Sequence, residues 1–131
     1  MESDQKPVNS DKLPDFFEHA LQVSRNFQIP YVKRRYGIPF ERLTPEQFNE
    51  QEIKMCLGLI SEVMVLMDAG TNWKDHTVPG QIDRDFMIEE CVDVFRYLLG
   101  FMIYANISYD EFREMFAHKS RIIELKFEKL Q

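Results

Sequence analysis

Thr44 to Gly70, TPEQFNEQEIKMCLGLISEVMVLMDAG, is the stretch that decides the fold. Its opening reads as a helix start: Thr44 caps, Pro45 suits the first helical position, and Gln47 can reach back as in a capping box. Met55 to Met67 is then apolar except at Gly58, Ser61 and Glu62. A helix that is hydrophobic nearly all round belongs in the centre of a fold, not on its surface. Ala69-Gly70 stops it after about Asp68.

A second segment of the same kind follows. Asp83 or Asp85 can cap a helix reaching about Ala105, and Phe86 to Tyr104 is apolar except for Glu89, Glu90, Asp93, Arg96 and Gly100. Ser108-Tyr109-Asp110-Glu111 is another capping-box signature, opening a last helix that runs almost to Gln131. Upstream, Leu13 to Phe27 places Phe16, Phe17, Ala20, Leu21, Val23 and Phe27 mostly on one side of a helix. Pro30 is expected to end that helix, with a connector from Tyr31 to Leu43 carrying Lys33, Arg34, Arg35, Gly37 and Pro39. There is no useful β-alternation and no internal repeat. The expected fold class is all-α, a four-helix bundle-like subunit in one domain over residues 13–131, behind a polar tail at 1–12. Two outer helices are too few to cover two all-round apolar ones, so a homo-oligomer, dimer or higher, is expected. The alternative is a monomer whose core positions close over.

Composition narrows the partners. The 22 acidic residues exceed the 16 basic ones, a net charge of −6, which argues against a general nucleic-acid or anionic-membrane surface. Neither apolar run reaches the roughly 18 uninterrupted residues of a membrane helix. Met1 to Asp11 lacks the apolar core of a targeting peptide, so a soluble, cytoplasmic protein is expected. Cys56 and Cys91 sit inside apolar stretches and read as reduced core thiols.

Three carboxylates are out of place. Glu62 stands alone within its apolar helix, and Glu90 and Asp93, at i and i+3, share a face of the next. Burying an ionised carboxylate without a partner costs several kcal/mol, a large share of a small domain's stability. Arg96, one turn past Asp93, can pair with it, but one arginine cannot neutralise three acids. A hard cation can, because Mg²⁺ takes carboxylate oxygens, keeps waters and bridges to phosphates. Spacing alone leaves metal binding and a buried salt-bridge network as equal readings. His19, His76 and His118 form no metal-ligating pattern. Without GxxxxGK[ST], GxGxxG or GxSxG, any phosphate must be held by metal and scattered basic side chains.

The order of these features resembles the all-α NTP pyrophosphatases, the MazG-like enzymes and dimeric dUTPases. That family carries ExxE on one core helix and ExxD on the next. The segments here are Ser61-Glu62-Val63-Met64-Val65-Leu66-Met67-Asp68 and Glu89-Glu90-Cys91-Val92-Asp93-Val94-Phe95. Trp73-Lys74 resembles the Trp/Lys loop of the dimeric dUTPases, and Lys119, Arg121 and Lys126 resemble the family's basic C-terminal helix. The likeness runs from about Leu13 onward. It departs where Val65 replaces the second glutamate of ExxE. Asp68, six residues past Glu62, points about 240° round the helix and is no substitute. Ser120 follows Lys119 where the dimeric dUTPases carry an Asn-rich signature.

The resemblance implies a Mg²⁺-dependent pyrophosphohydrolase acting on a nucleoside triphosphate, deoxy in the sugar, and releasing pyrophosphate. Glu62, Glu90 and Asp93 would be the metal ligands, and Glu62 the residue that orients or deprotonates water. Lys74, Lys119 and Arg121 are candidates to hold phosphate oxygens, and Trp73 to stack on the base. Solvated surface charge and a loop anchor are the plainer readings of these residues. Val65 supports a second reading, a pyrophosphatase-fold protein that binds nucleotide without turnover. A third is a structural helical dimer whose carboxylates are salt-bridged.

Overall fold

The computed structural model describes residues 15–70 and 83–130. These form four α-helices, α1 (Phe16–Tyr36), α2 (Pro45–Gly70), α3 (Arg84–Tyr104) and α4 (Tyr109–Leu130), with a 3₁₀ turn at Phe40–Arg42. There is no strand among the described residues, as an all-α chain requires. The tail at 1–12 and the Trp73-Lys74 loop lie outside them. No described helix is long and apolar enough to cross a membrane.

Helix starts follow the local chemistry. Thr44 and Gln47 form a reciprocal capping box, with N–H to side-chain oxygen distances of 3.1 and 2.9 Å. Ser108 and Glu111 repeat it at 3.1 and 3.0 Å. Of the two candidate caps for α3 the chain uses Asp83, whose Oδ1 accepts from the Phe86 N–H at 3.1 Å. Each cap satisfies N–H groups that have no partner within the helix.

Pro30 does not end α1. The helix runs on to Tyr36, and the expected connector supplies its last turns. Proline removes one hydrogen bond and crowds the preceding turn, but the segment beyond it has much to gain. Val32 is fully buried, and Tyr31 and Tyr36 pack against the core. Lys33, Arg34 and Arg35 sit at the negative end of the helix dipole. Gly37, at φ 73°, then closes the helix in the left-handed conformation, its N–H donating to the Lys33 carbonyl at 2.9 Å. Arg35 pairs with Glu50 of α2 at 3.1 Å.

The core lies at one end of the molecule. Val32, Phe40, Leu43, Ile103 and Tyr104 are buried together where α1 and α3 end and α2 begins. From there α2 and α3 run side by side. Gly58 lies against Tyr97 and Gly100 against Met55, so position rises along α2 as it falls along α3 and the pair is antiparallel. α1 lies on α3, while α4 packs against α1 alone. Its first turns are held by Phe17–Phe112 stacking at 4.7 Å and by the Tyr109 hydroxyl donating to Asp15 at 3.0 Å. No residue of α4 is buried.

Two outer helices were expected to leave part of the central pair uncovered. In the single chain α2 is covered only where it meets its neighbours, and Ile53, Leu57, Ile60 and Met64 remain exposed. Cys56 and Cys91 are likewise free and exposed, not core thiols. Both cysteines belong to apolar helices of which the single chain covers only part, so an apolar neighbourhood in sequence did not place them inside.

Candidate metal centre

The antiparallel register brings Glu62 of α2 opposite Glu90 and Asp93 of α3. One carboxylate oxygen from each lies within 4.8 Å of the other two. Glu89, their neighbour in sequence, is exposed and outside the group. Glu62 and Asp93 are half-buried, while Glu90 is buried and its Oε2 has no hydrogen-bond partner. A buried carboxylate oxygen with nothing to accept from is costly, and native structures contain few of them.

Electrostatics makes the same point. The Glu90 carboxyl is pushed up to about 7, first by its hydrogen bond with Glu62, then by burial, then by the negative charges of Glu62, Asp93 and Glu89. Three carboxylates this close do not all ionise readily in water at neutral pH, and a proton on Glu90 takes the place of a missing positive charge. Among the described residues no side-chain cation supplies that charge. Among the described residues the ion pairs are Arg35–Glu50, Arg113–Asp110 and Arg121–Glu124. Arg96 lies over the Phe27 ring, 5.8 Å from its centroid, and is not ion-paired to Asp93. The salt-bridge network that spacing left open is therefore not formed by the described residues. Hard oxygen donors, an orphaned buried acceptor and no competing cation among the described residues fit a divalent ion such as Mg²⁺.

The raised Glu90 value gives a pH signature. Between about 4.5 and about 7 the folded chain holds a proton on Glu90 that the unfolded chain has released. Stability therefore falls as pH rises through that window, and the whole loss is present above it. In chelator the melting temperature is expected to fall across this range, and Glu90→Gln is expected to remove that component. A variant whose pH dependence matches the parent would show that the carboxylate oxygens lie further apart than 4.8 Å.

Beside Asp93, between α1, α2 and α3, opens a cavity of about 500 Å³. Ser24, Gln28 and Gln51 line it and are buried. Reading the sequence for charged and aromatic residues missed all three. A signal was present, because Leu21, Ser24, Gln28 and Val32 follow one another at helical spacing, placing polar side chains on a face that is otherwise apolar.

The remaining candidates are placed differently. Lys119 and Arg121 are exposed on α4, which has no contact with α2 or α3 in the single chain. Trp73 and Lys74 fall outside the described residues. Comparison with protein-family models, with characterised proteins and with solved structures finds no match to this chain.

Proposed function

We propose that this chain is a Mg²⁺-dependent nucleoside triphosphate pyrophosphohydrolase of the all-α type, cleaving a deoxynucleotide to its monophosphate and pyrophosphate. The observation that carries the reading is the Glu62–Glu90–Asp93 group with its orphaned buried oxygen. In this reading Glu62, Glu90 and Asp93 hold the metal, which on binding supplies charge neutralisation for the phosphates and a more acidic bound water. Water adds to the α-phosphorus, the bond to the bridging oxygen breaks, and pyrophosphate leaves. Glu62 is half-buried and so remains accessible from solvent, which suits it to orient the water and take its proton. Glu90, the most enclosed of the three, is the residue that most needs a cation.

Val65 favours a second reading, nucleotide binding without turnover. It lies one turn past Glu62, is half-buried, and offers no ligand atom. A melting scan with Mg²⁺ and a panel of deoxynucleoside triphosphates, read together with pyrophosphate release, separates the possibilities. Stabilisation with release supports the enzyme, stabilisation without release the binding module, and neither result leaves a structural helical protein.

Val65→Glu tests the site from the other side. An added carboxylate without metal is expected to lower stability by roughly 1–3 kcal/mol at this half-buried position. Mg²⁺ and a triphosphate should restore most of that loss, tighten metal binding and raise any turnover. A variant that melts lower in both conditions and works no faster would identify Val65 as ordinary packing.

The exposed apolar surface supports a homo-oligomer. Ile53, Leu57, Ile60 and Met64 repeat at spacings of four, three and four, a heptad seam that a second helix of the same kind can cover. Phe116, Ile123, Phe127 and Leu130 leave α4 equally open. Light scattering at micromolar concentration is expected to give at least a dimer, and Leu57→Glu with Ile60→Lys to reduce it to monomer. A wild-type protein that stays monomeric would refute the seam.

A further inference from the structure

The cavity beside Asp93 is built around two glutamines, each tied down at one end. Gln51 is completely buried, its Nε2 donates to the Tyr36 hydroxyl at 2.8 Å, and its Oε1 accepts from nothing. Gln28 is also buried, its Oε1 accepts from the Tyr104 hydroxyl, and its Nε2 has no hydrogen-bond partner among the described residues. Of the two glutamines that line the cavity, Gln51 therefore keeps an uncommitted amide acceptor and Gln28 an uncommitted amide donor. Turning both amides over would still leave one of each, because each tyrosine hydroxyl can donate or accept. A buried polar group left unpaired beside a pocket, as Gln51 Oε1 is here, ordinarily marks where a ligand hydrogen-bonds.

The rest of the lining suits a flat ring with a charged tail. Phe27, Tyr31 and Tyr97 present aromatic surface, which stacks on any heterocycle. Lys54 and Arg96 bring positive charge, and Asp93 belongs both to this cavity and to the carboxylate group. The volume of about 500 Å³ accommodates a nucleoside.

We infer that this cavity is a nucleobase site, in which Gln28 and Gln51 read a base edge carrying a hydrogen-bond donor next to an acceptor. The identity of the ligand rests on the nucleotide reading above; the existence of the pocket does not. Each natural base offers such an edge, so the pocket selects for an unblocked edge, with Gln51 as a positioning and specificity residue.

Calorimetric titration of the full chain with dUMP, dCMP, dAMP and dGMP, and with analogues methylated at the edge nitrogen, tests this. At least one monophosphate should bind, and its edge-methylated analogue, along with Gln51→Leu, should bind at least about 10-fold more weakly. Gln51→Leu removes an unsatisfied acceptor together with the hydrogen bond to the Tyr36 hydroxyl, two opposing effects, so without ligand its melting temperature should stay close to the parent's. Should that variant fail to fold, the methylated ligands on the unaltered chain decide the matter. Equal affinity for methylated and unmethylated ligands, or no binding of any of the four at millimolar concentration, overturns the inference. The two readings fail separately. Mg²⁺-dependent binding of inorganic tripolyphosphate without base dependence would leave the metal centre standing and refute the base site. Edge-dependent binding that is indifferent to Mg²⁺ would do the reverse.

Discussion

Asp93→Asn is expected to abolish the Mg²⁺-linked rise in melting temperature and to cut any pyrophosphate release by at least about 100-fold, because on the proposed reading it removes a metal ligand outright. The same change should leave the metal-free fold intact or steadier. Asp93 is one of the charges that hold the Glu90 carboxyl at about 7, and deleting it relieves repulsion within the group. The pH-dependent loss of stability in chelator should shrink accordingly, since Glu90 then releases its proton nearer the ordinary carboxylate value. These opposite signs, no worse without metal and crippled with it, distinguish a ligand from a residue that merely packs. Calorimetry finding the parent's Mg²⁺ affinity in Asp93→Asn would exclude this site.

Gly58→Ala is expected to destabilise the chain by about 1–3 kcal/mol, although alanine is the better helix former by about 1 kcal/mol. A Cβ at position 58 would sit 2.1 Å from one carbon of the Tyr97 ring and 2.5 Å from two more. The ring has to swing out, or α2 and α3 have to part. Parting would also spread Glu62 from Glu90 and Asp93, one turn further along the same pair, so Mg²⁺-linked stabilisation should weaken with it. For a domain of this size the melting temperature should fall by roughly 4 °C per kcal/mol. Gly100→Ala is the control. Its nearest neighbour is the Met55 sulfur at 2.5 Å, part of a flexible side chain that can move aside, so the loss there should be smaller. A Gly58→Ala protein that melts higher than the parent would show that α2 and α3 do not approach as described.

Local chemistry made the helix starts legible. A capping box engages only neighbours in sequence, so Thr44-Gln47 and Ser108-Glu111 could be read without knowing the fold. Pro30 misled because its penalty is also local, whereas the packing that outweighs it, Val32 in the core with Phe40 and Tyr104, depends on residues far away in the chain. The cysteines misled for a related reason. An apolar neighbourhood in sequence fixes what a helix face prefers, not which face finds a partner, and Cys56 and Cys91 stay exposed in the single chain.

The sequence by itself determined four helices, the starts of α2 and α4, and three acids that an apolar pair of helices could not bury without compensation. Spacing along one helix put Glu90 and Asp93 on one face, because helical geometry alone relates i to i+3. Only the tertiary structure decided that Glu62 meets them. The antiparallel register of α2 on α3 is set by the fit of Gly58 under Tyr97 and Gly100 under Met55, contacts between residues some forty positions apart. It also decided that Arg96 turns to Phe27 instead of Asp93, leaving the three acids without a side-chain cation from the described residues. Gln51 became visible only there too, since an amide reads as ordinary surface until its partner, Tyr36, closes around one end and leaves the other unpaired, whereas Gln28 carried a signal in its place on an otherwise apolar helix face.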